Sequence, residues 1–335
     1  MPRPWRIRYS GAKYHVTARG NGRQRIFFGR KDYLRFLDQL TAALEKDRVI
    51  LYAYVLMPNH YHLFCETPLG NIQKFEQRLN TAYGMYFRYR HRRPGHCLQG
   101  RYGAKLVGGD DYIVRLTRYL HLNPVETSTM RKRSVAERQA RLKSFEWSSY
   151  RGYTSQGPKE AIIDYRWLSL LGRKTEKGCM KAYGRYVEEG IGTEDEILKE
   201  AYSASRYAIG DEEFIEEAES DLKAMRLERA VYGDVALPEI RVLPVELIED
   251  AVVREFGIKK ADLHFHGHRS GIAKSIAVEL CCALGGKSQR AIARHYGYRS
   301  DAGVTRQRRT LRRKLTESPS LQRRVARIEK GLSKV

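Results

Sequence analysis

Leu51-Tyr-Ala-Tyr-Val-Leu-Met-Pro-Asn-His-Tyr-His-Leu-Phe64 reads as two strands around a tight turn. Its first six residues have strand composition, aromatic, aliphatic and β-branched. Pro58 has no N–H to give to a central ladder, so Met57-Pro-Asn59 is the turn. His60 to Phe64 then returns as the next strand. Side chains at i and i+2 of a strand point the same way, so His60 and His62 share one face and Tyr61 takes the other. Two imidazoles so placed can reach one divalent ion. The plainer alternative is two polar residues on the solvent face of an edge strand.

Working outward, Tyr14-His-Val-Thr-Ala18 reads as a strand with Tyr14, Val16 and Ala18 on one face and His15 and Thr17 on the other. Leu34, Leu37, Leu40 and Leu44 recur at helical spacing and predict an amphipathic helix over 32–46. Ile72, Phe75, Leu79, Ala82 and Tyr86 mark a second helix. Ile113, Leu116 and Leu120 mark a third, ended by Pro124. The order strand, helix, strand pair, helix, helix suits an α+β domain, an N-terminal antiparallel sheet with flanking helices.

The chain has 335 residues with a formal net charge of +23, 42% hydrophobic and 30% charged. This is enough apolar material for packed cores, and length alone suggests two or three domains. No apolar run of membrane-spanning length and no secretory h-region is visible. The five cysteines form no CxxC pair and no zinc-finger spacing, which points to a reducing cytoplasm. The positive excess calls for a polyanionic partner, nucleic acid first and an anionic membrane surface second.

The charge is uneven. Residues 188–220 hold 12 acids and two bases, whereas residues 286–335 hold 15 bases and three acids. Such shifts mark changes of module. The expected division is a basic unit over 1–155, a mixed helical connector with the acidic segment over 156–242, and a basic unit over 243–335. Leu237-Pro238 and Leu243-Pro244 form the joint before the last.

The third helix carries Arg115, Tyr119 and Asn123 at steps of four, one above another and away from its apolar stripe. A phenol and an amide oxygen one turn apart can face a common point. With the histidine pair they suit one reaction. His60, His62 and the Asn123 oxygen would hold Mg²⁺ or Mn²⁺, to polarise a phosphate oxygen; imidazole suits Mn²⁺ better than Mg²⁺, and the pair alone would also suit zinc. The Tyr119 phenol attacks phosphorus, and a phosphotyrosine link conserves the phosphodiester energy for rejoining. The separate reading is that Tyr119 packs on the sheet and Asn123 closes the helix end.

Leu56-Met-Pro-Asn-His-Tyr-His-Leu63, Gly100-Arg-Tyr-Gly-Ala-Lys105, Asp111-Tyr112 and Tyr119-Leu-His-Leu-Asn-Pro124 come in that order. They resemble the successive motifs of the single-tyrosine HUH transposases, in particular the REP-associated tyrosine transposases. Trp147-Ser-Ser-Tyr150 resembles the segment that follows the tyrosine helix in that family. The resemblance covers residues 5–155. It implies a compact sheet domain that cuts single-stranded DNA near a hairpin, forming a 5′-phosphotyrosine and freeing a 3′-OH. By motif position it makes His60 and His62 ligands, Tyr119 the nucleophile and Asn123 the third ligand. Tyr83, Tyr86 and Tyr89 also follow the histidine pair on a helix but match the motif less well. The resemblance leaves open a domain acting singly or a homodimer.

Arg88-Tyr-Arg-His-Arg-Arg-Pro-Gly-His96 interleaves cations and aromatics, and Arg101 and Lys105 follow. Basic groups beside stackable rings suit single strands and hairpins, so Arg88, Arg90, Arg92, Arg93, Arg101 and Lys105 are candidate DNA contacts. Arg3, Arg6, Arg8, Arg19, Arg23 and Arg25 are further candidates for phosphate. In the last unit Ile272, Ile276, Leu280 and Leu284 predict an amphipathic helix. Ser288 caps a short helix, Gly297 ends it, and a helix from Asp301 carries Arg306, Arg308, Arg309, Arg312 and Arg313. This is a helix-turn-helix layout, and residues 248–315 resemble the C-terminal DNA-binding domain of the replication initiator DnaA. Thr305, Arg306 and Arg309 are the first choices for contact with duplex DNA. His264-Phe-His266-Gly-His268 is a second His-x-His, read as surface or core packing.

The expected function is therefore a DNA transposase and single-strand endonuclease, with DNA and not a membrane as partner. A non-catalytic sequence-specific DNA-binding regulator would keep the fold without needing His60, His62 and Tyr119. A rolling-circle replication initiator or relaxase would use the same chemistry. The sequence has no G-x-x-x-x-G-K-[ST] helicase motif, which disfavours the larger members of that class.

Overall fold

A computed structural model describes residues 7–154, 156–232, 242–265 and 271–332. Arg3, Arg6, the Leu237-Pro238 joint, His266 and His268 lie outside the described residues. The chain divides into two compact units. The first takes Ala12–Thr67 and Asn71–Asp234, the second Val235–Val335, with Tyr9–Gly11 and Pro68–Gly70 grouped with the second.

The first unit runs β1 (Ala12–Arg19), α1 (Arg30–Asp47), β2 (Ile50–Met57), β3 (His60–Thr67), α2 (Ile72–His91), β4 (Gly103–Val107) and α3 (Asp110–Leu122). It continues through α4 (Val135–Ser144), α5 (Tyr150–Tyr153), α6 (Glu176–Glu189), α7 (Glu196–Ala204), β5 (Ala208–Ile209) and α8 (Glu212–Tyr232). The sheet order is β2-β3-β1-β4-β5. The first four strands pair antiparallel, as the hairpin reading requires. β5 pairs parallel to β4, a junction that needs a long crossover, and α3 to α7 supply it. The acidic stretch expected to be a connector thus contributes the fifth strand. Two residues are too short to show a strand period, so its composition hides it.

The β2–β3 turn is pinned from outside. The N–H groups of Ile26 and Phe27 donate to the Pro58 carbonyl at 2.8 and 3.1 Å, and that of Gly20 to the Asn59 carbonyl at 2.8 Å. A Cβ on Gly20 would stand 2.1 Å from the Gln24 carbonyl oxygen, so only glycine lets β1 end there. α1 begins at Gly29, where the Asp32 carboxylate accepts from the Phe28 and Gly29 N–H groups at 2.8 and 3.3 Å.

Helices cover both faces of the sheet. α1 and α2 pack on the Tyr61 side: the Tyr61 ring lies 4.9 Å from Phe36, and its hydroxyl reaches Asn80 Oδ1 at 2.7 Å and Glu76 Oε2 at 3.0 Å. α3 crosses the other face. Its orientation is set by His121, fully buried between the Tyr183 hydroxyl at 2.7 Å and Ser149 Oγ at 2.8 Å. Ser149 belongs to the Trp147-Ser-Ser-Tyr150 segment, which bonds along β2 through Leu56 N–H to Trp147 O and Ser149 N–H to Tyr54 O. With His121 fixed among Tyr183 and Ser149, Tyr119, two residues back on the helix, faces His15 and His62.

His121→Ala is expected to destabilise the first unit by about 3 kcal/mol, because it removes a buried ring and takes a partner from two buried hydroxyls. Urea denaturation followed by tryptophan emission measures it, since none of the tryptophans, at 5, 147 and 167, belongs to the second unit.

The second unit is helical: α9 (Val245–Phe256), α10 (Gly271–Leu284), α11 (Gln289–His295), α12 (Asp301–Glu317) and α13 (Pro319–Leu332). Its core gathers Ile248, Val252, Ile276, Leu280, Ile292, Tyr296, Val304 and Leu311. Ser288 Oγ caps α11 by accepting from Ala291 N–H at 3.1 Å, and Gly297 follows with φ +74°. Among the described residues no helix is long and apolar enough to cross a membrane.

Candidate active site on the sheet

β3 lies inside the sheet between β2 and β1, so the histidine pair is not on an edge. The antiparallel register sets Arg19 opposite His60, Thr17 opposite His62 and His15 opposite Phe64. His15, Thr17, Arg19, His60 and His62 therefore share one face. His62 and His15 are buried and His60 is half-buried. The His60 and His62 rings are 5.0 Å apart. α3 brings the Tyr119 ring to 5.9 Å from His62 and 6.0 Å from His15, with the residue 41% exposed, so the phenol is reachable from solvent.

The hydrogen bonds decide which nitrogens hold lone pairs. Asn59 Nδ2 donates to the Arg23 carbonyl at 3.3 Å, so Asn59 Oδ1, 2.7 Å from His60 Nδ1, is the acceptor. His60 Nδ1 thus carries the proton and Nε2 the lone pair. Asn123 Nδ2 donates to the Tyr119 carbonyl at 2.9 Å, one turn back, which leaves its oxygen for the site. The Asn123 side chain lies near both the His60 ring and the Tyr119 phenol. His62 Nδ1 lies 2.9 Å from His15 Nε2, and His15 Nδ1 is buried with no hydrogen-bond partner among the described residues.

Burial, and then the Arg19 cation, hold His60 down at about 4, with the Asn123 bond pulling the other way. Burial, the two neighbouring imidazoles and Arg19 hold His62 well below the usual imidazole range. Burial and then Lys105 hold His15 at about 3. The three rings are neutral at pH 7. Burial raises the Tyr119 phenol above its ordinary value, while the Asn123 bond and the Arg19 charge draw it back. The donor set of two neutral imidazoles and an anchored carboxamide oxygen fits a divalent transition-metal ion better than Mg²⁺.

Two residues of this site escaped sequence reading. His15 stands on the predicted face of β1, but only the register puts it against His62. Tyr202, on α7, sits 5.8 Å from His15 and 6.4 Å from Tyr119, its phenol pushed up to about 12 by burial and then by Tyr119. Nothing in the acidic stretch marks Tyr202 beforehand. Arg115, expected beside Tyr119, instead pairs with Asp195 at 2.8 Å, as Arg118 does at 2.5 Å.

The basic run occupies the end of α2 and the loop after it, with Arg88, Arg90, Arg92, Arg93 and Arg101 all exposed beside a Tyr89 that is 89% exposed. Arg93 stacks 5.0 Å over Phe28. Lys105 differs from the expectation of a phosphate contact. Its ammonium donates to the carbonyls of Tyr202 and Ser205 and lies 3.9 Å over the Tyr202 ring, because β4 runs beneath α7. Of the alternative tyrosines, Tyr83 donates to the Ile26 carbonyl at 2.6 Å and Tyr86 to Asp32 at 2.9 Å, both from α2 on the opposite side of the sheet.

In the second unit Arg306 is exposed and Arg309 partly covered. Thr305 departs from the expected DNA contact: its hydroxyl is 2.9 Å from Gln289 Oε1 and joins α12 to α11. Arg308 points inward to Glu279 at 2.7 Å, four residues on from the buried Val304.

Residues 8–123 match the family model described as Transposase IS200 like. The matched span begins before β1 and ends on Asn123, so it holds His15, the histidine pair and Tyr119. No curated protein matches the chain. Among solved structures, that of a REP-associated tyrosine transposase bound to a REP hairpin is similar at 14% identity, over 49% of this chain and 92% of that chain, with a TM-score of 0.39.

Proposed function

We propose that the chain is a metal-dependent DNA transposase that cuts and rejoins single-stranded DNA through Tyr119. The observation that carries this reading is the convergence of Tyr119, His60, His62 and Asn123 on one open face, inside the span that matches the IS200-like family.

His60 Nε2, His62 Nε2 and the Asn123 oxygen would hold Mg²⁺ or Mn²⁺, which supplies charge stabilisation at a non-bridging phosphate oxygen. Tyr119 Oη attacks phosphorus. The new bond joins tyrosine oxygen to the 5′-phosphate, the bond from phosphorus to the 3′ oxygen breaks, and the phenol's proton is balanced by the proton on the released 3′-OH. Burial works against the attacking phenolate, while Asn123 and then Arg19 partly offset it. The reverse attack by a 3′-OH rejoins the strand and frees Tyr119.

The exposed arginines 88, 90, 92, 93 and 101, with Tyr89 for stacking, would hold the hairpin and its flanking strand. α11 and α12 would form a helix-turn-helix for duplex DNA, with Arg306 and Arg309 toward phosphate or base. Lys105 and Thr305 act inside the fold in this reading. A substrate of this kind fits cytoplasmic DNA.

The test is incubation with end-labelled single-stranded hairpins and Mn²⁺, followed by a denaturing gel. A labelled band that migrates with the protein, and vanishes with EDTA, is expected. A protein that binds hairpins yet forms no such band with any divalent ion would favour the regulator.

His15 has a positioning role. If His62 is to present Nε2, its Nδ1 must carry the proton and donate to His15 Nε2. His15→Phe is expected to weaken Mn²⁺ binding by roughly tenfold, the usual scale for a partner behind a ligand. It should also shift His62 from the Nδ1–H tautomer in ¹⁵N spectra of the metal-free protein. An unchanged tautomer and unchanged Mn²⁺ affinity would remove His15 from this role.

A further inference from the structure

Glu249, His264 and His295 come from three elements of the second unit. Glu249 is on α9, His264 ends the short turn Lys260–His264, and His295 ends α11. The Glu249 carboxylate is buried, and both imidazoles aim at the same oxygen. Nε2 of His295 is 2.7 Å from Oε1 and Nε2 of His264 is 3.6 Å from it. One ligating atom from each residue lies within 4.8 Å of the others.

One of the rings is also anchored from behind. His264 Nδ1 is 3.0 Å from the His295 carbonyl oxygen, which can only accept. Nδ1 therefore carries the proton, and in the neutral ring Nε2 presents a lone pair to a carboxylate oxygen. The three ligating atoms converge around one buried oxygen, a geometry that a cation can occupy in place of the proton His295 shares with Glu249. A ring anchored through one nitrogen on a carbonyl, with the other left for the ion, is the common setting of a metal-bound histidine. The other carboxylate oxygen is already attended by Lys260 Nζ at 3.6 Å, and the Tyr296 phenol also bonds to Glu249.

We propose that Glu249, His264 and His295 bind a divalent cation of the Zn²⁺ class, separate from the site on the sheet. Two imidazoles and one carboxylate suit Zn²⁺ and disfavour Mg²⁺ and Ca²⁺, which take mainly oxygen. The two histidine side chains are 41% and 35% exposed, so water completes the coordination. Such an ion fastens the turn before α10 to α9 and to α11, the helix that precedes the basic α12.

The test uses the full chain carrying His60→Ala and His62→Ala, so that the first site does not answer. Calorimetric titration with ZnCl₂ should give one equivalent, and zinc should raise the melting temperature. Adding His264→Gln should weaken zinc by more than about tenfold. Co²⁺ in place of zinc should shift the imidazole proton resonances of His264 and His295, a reading that needs no further variant. No zinc uptake, zinc uptake unchanged by His264→Gln, or Co²⁺ that leaves those resonances in place would each overturn the site.

Discussion

Tyr119→Phe is expected to form no covalent DNA adduct while binding hairpins within about twofold of the native protein. The substitution keeps the ring that packs near His15 and His62 and removes only the hydroxyl. The fold and the arginine face on α2 are untouched. Loss of a nucleophile costs at least about a thousandfold in rate, with residual turnover left to binding and electrostatics. Denaturing gels measure the adduct and fluorescence anisotropy the binding. A Tyr119→Phe protein that still forms the adduct would move the nucleophile, and Tyr202, 6.4 Å away, would be the first place to look.

The second large effect belongs to His60. His60→Ala should lower Mn²⁺-dependent cleavage on the order of a hundredfold and weaken Mn²⁺ binding in parallel. His60 is half-buried at the start of β3, so the variant leaves no deep cavity and should keep its melting temperature. Hairpin affinity should hold, because the basic run lies on α2 and its following loop. Excess Mn²⁺ should recover part of the rate. If cleavage fell but neither metal affinity nor metal rescue changed, His60 would be acting on the phenol or the phosphate and not on an ion.

The placement of the candidate residues was legible because its signals are local. A proline turn set the start of β3, strand alternation put His60 and His62 on one side, and a four-residue step joined Tyr119 to Asn123. What was hidden depends on pairing between distant segments. His15 reaches His62 only through the β1–β3 register, which a single sequence does not state. Tyr202 arrives from an acidic stretch whose charge suggested a solvated connector, yet α7 and β5 close the sheet beside the site. The same closure takes Lys105 away from solvent. On α12 the basic composition concealed a division of labour, since Arg308 faces inward to Glu279 while Arg306 faces out. The histidine tract near 264 reads as surface or core packing, and His264 is indeed exposed. It also shares a carboxylate with His295, 31 residues away along the chain.

Peptide mapping of the trapped protein–DNA complex addresses the central claim most directly. The complex formed with Mn²⁺ and a hairpin strand would be digested with trypsin and nuclease and weighed by mass spectrometry. The account predicts a nucleotide phosphate on the peptide that contains Tyr119, and on no other tyrosine. A phosphate carried by Tyr202 or by a tyrosine of α2, with the Tyr119 peptide unmodified, would contradict it.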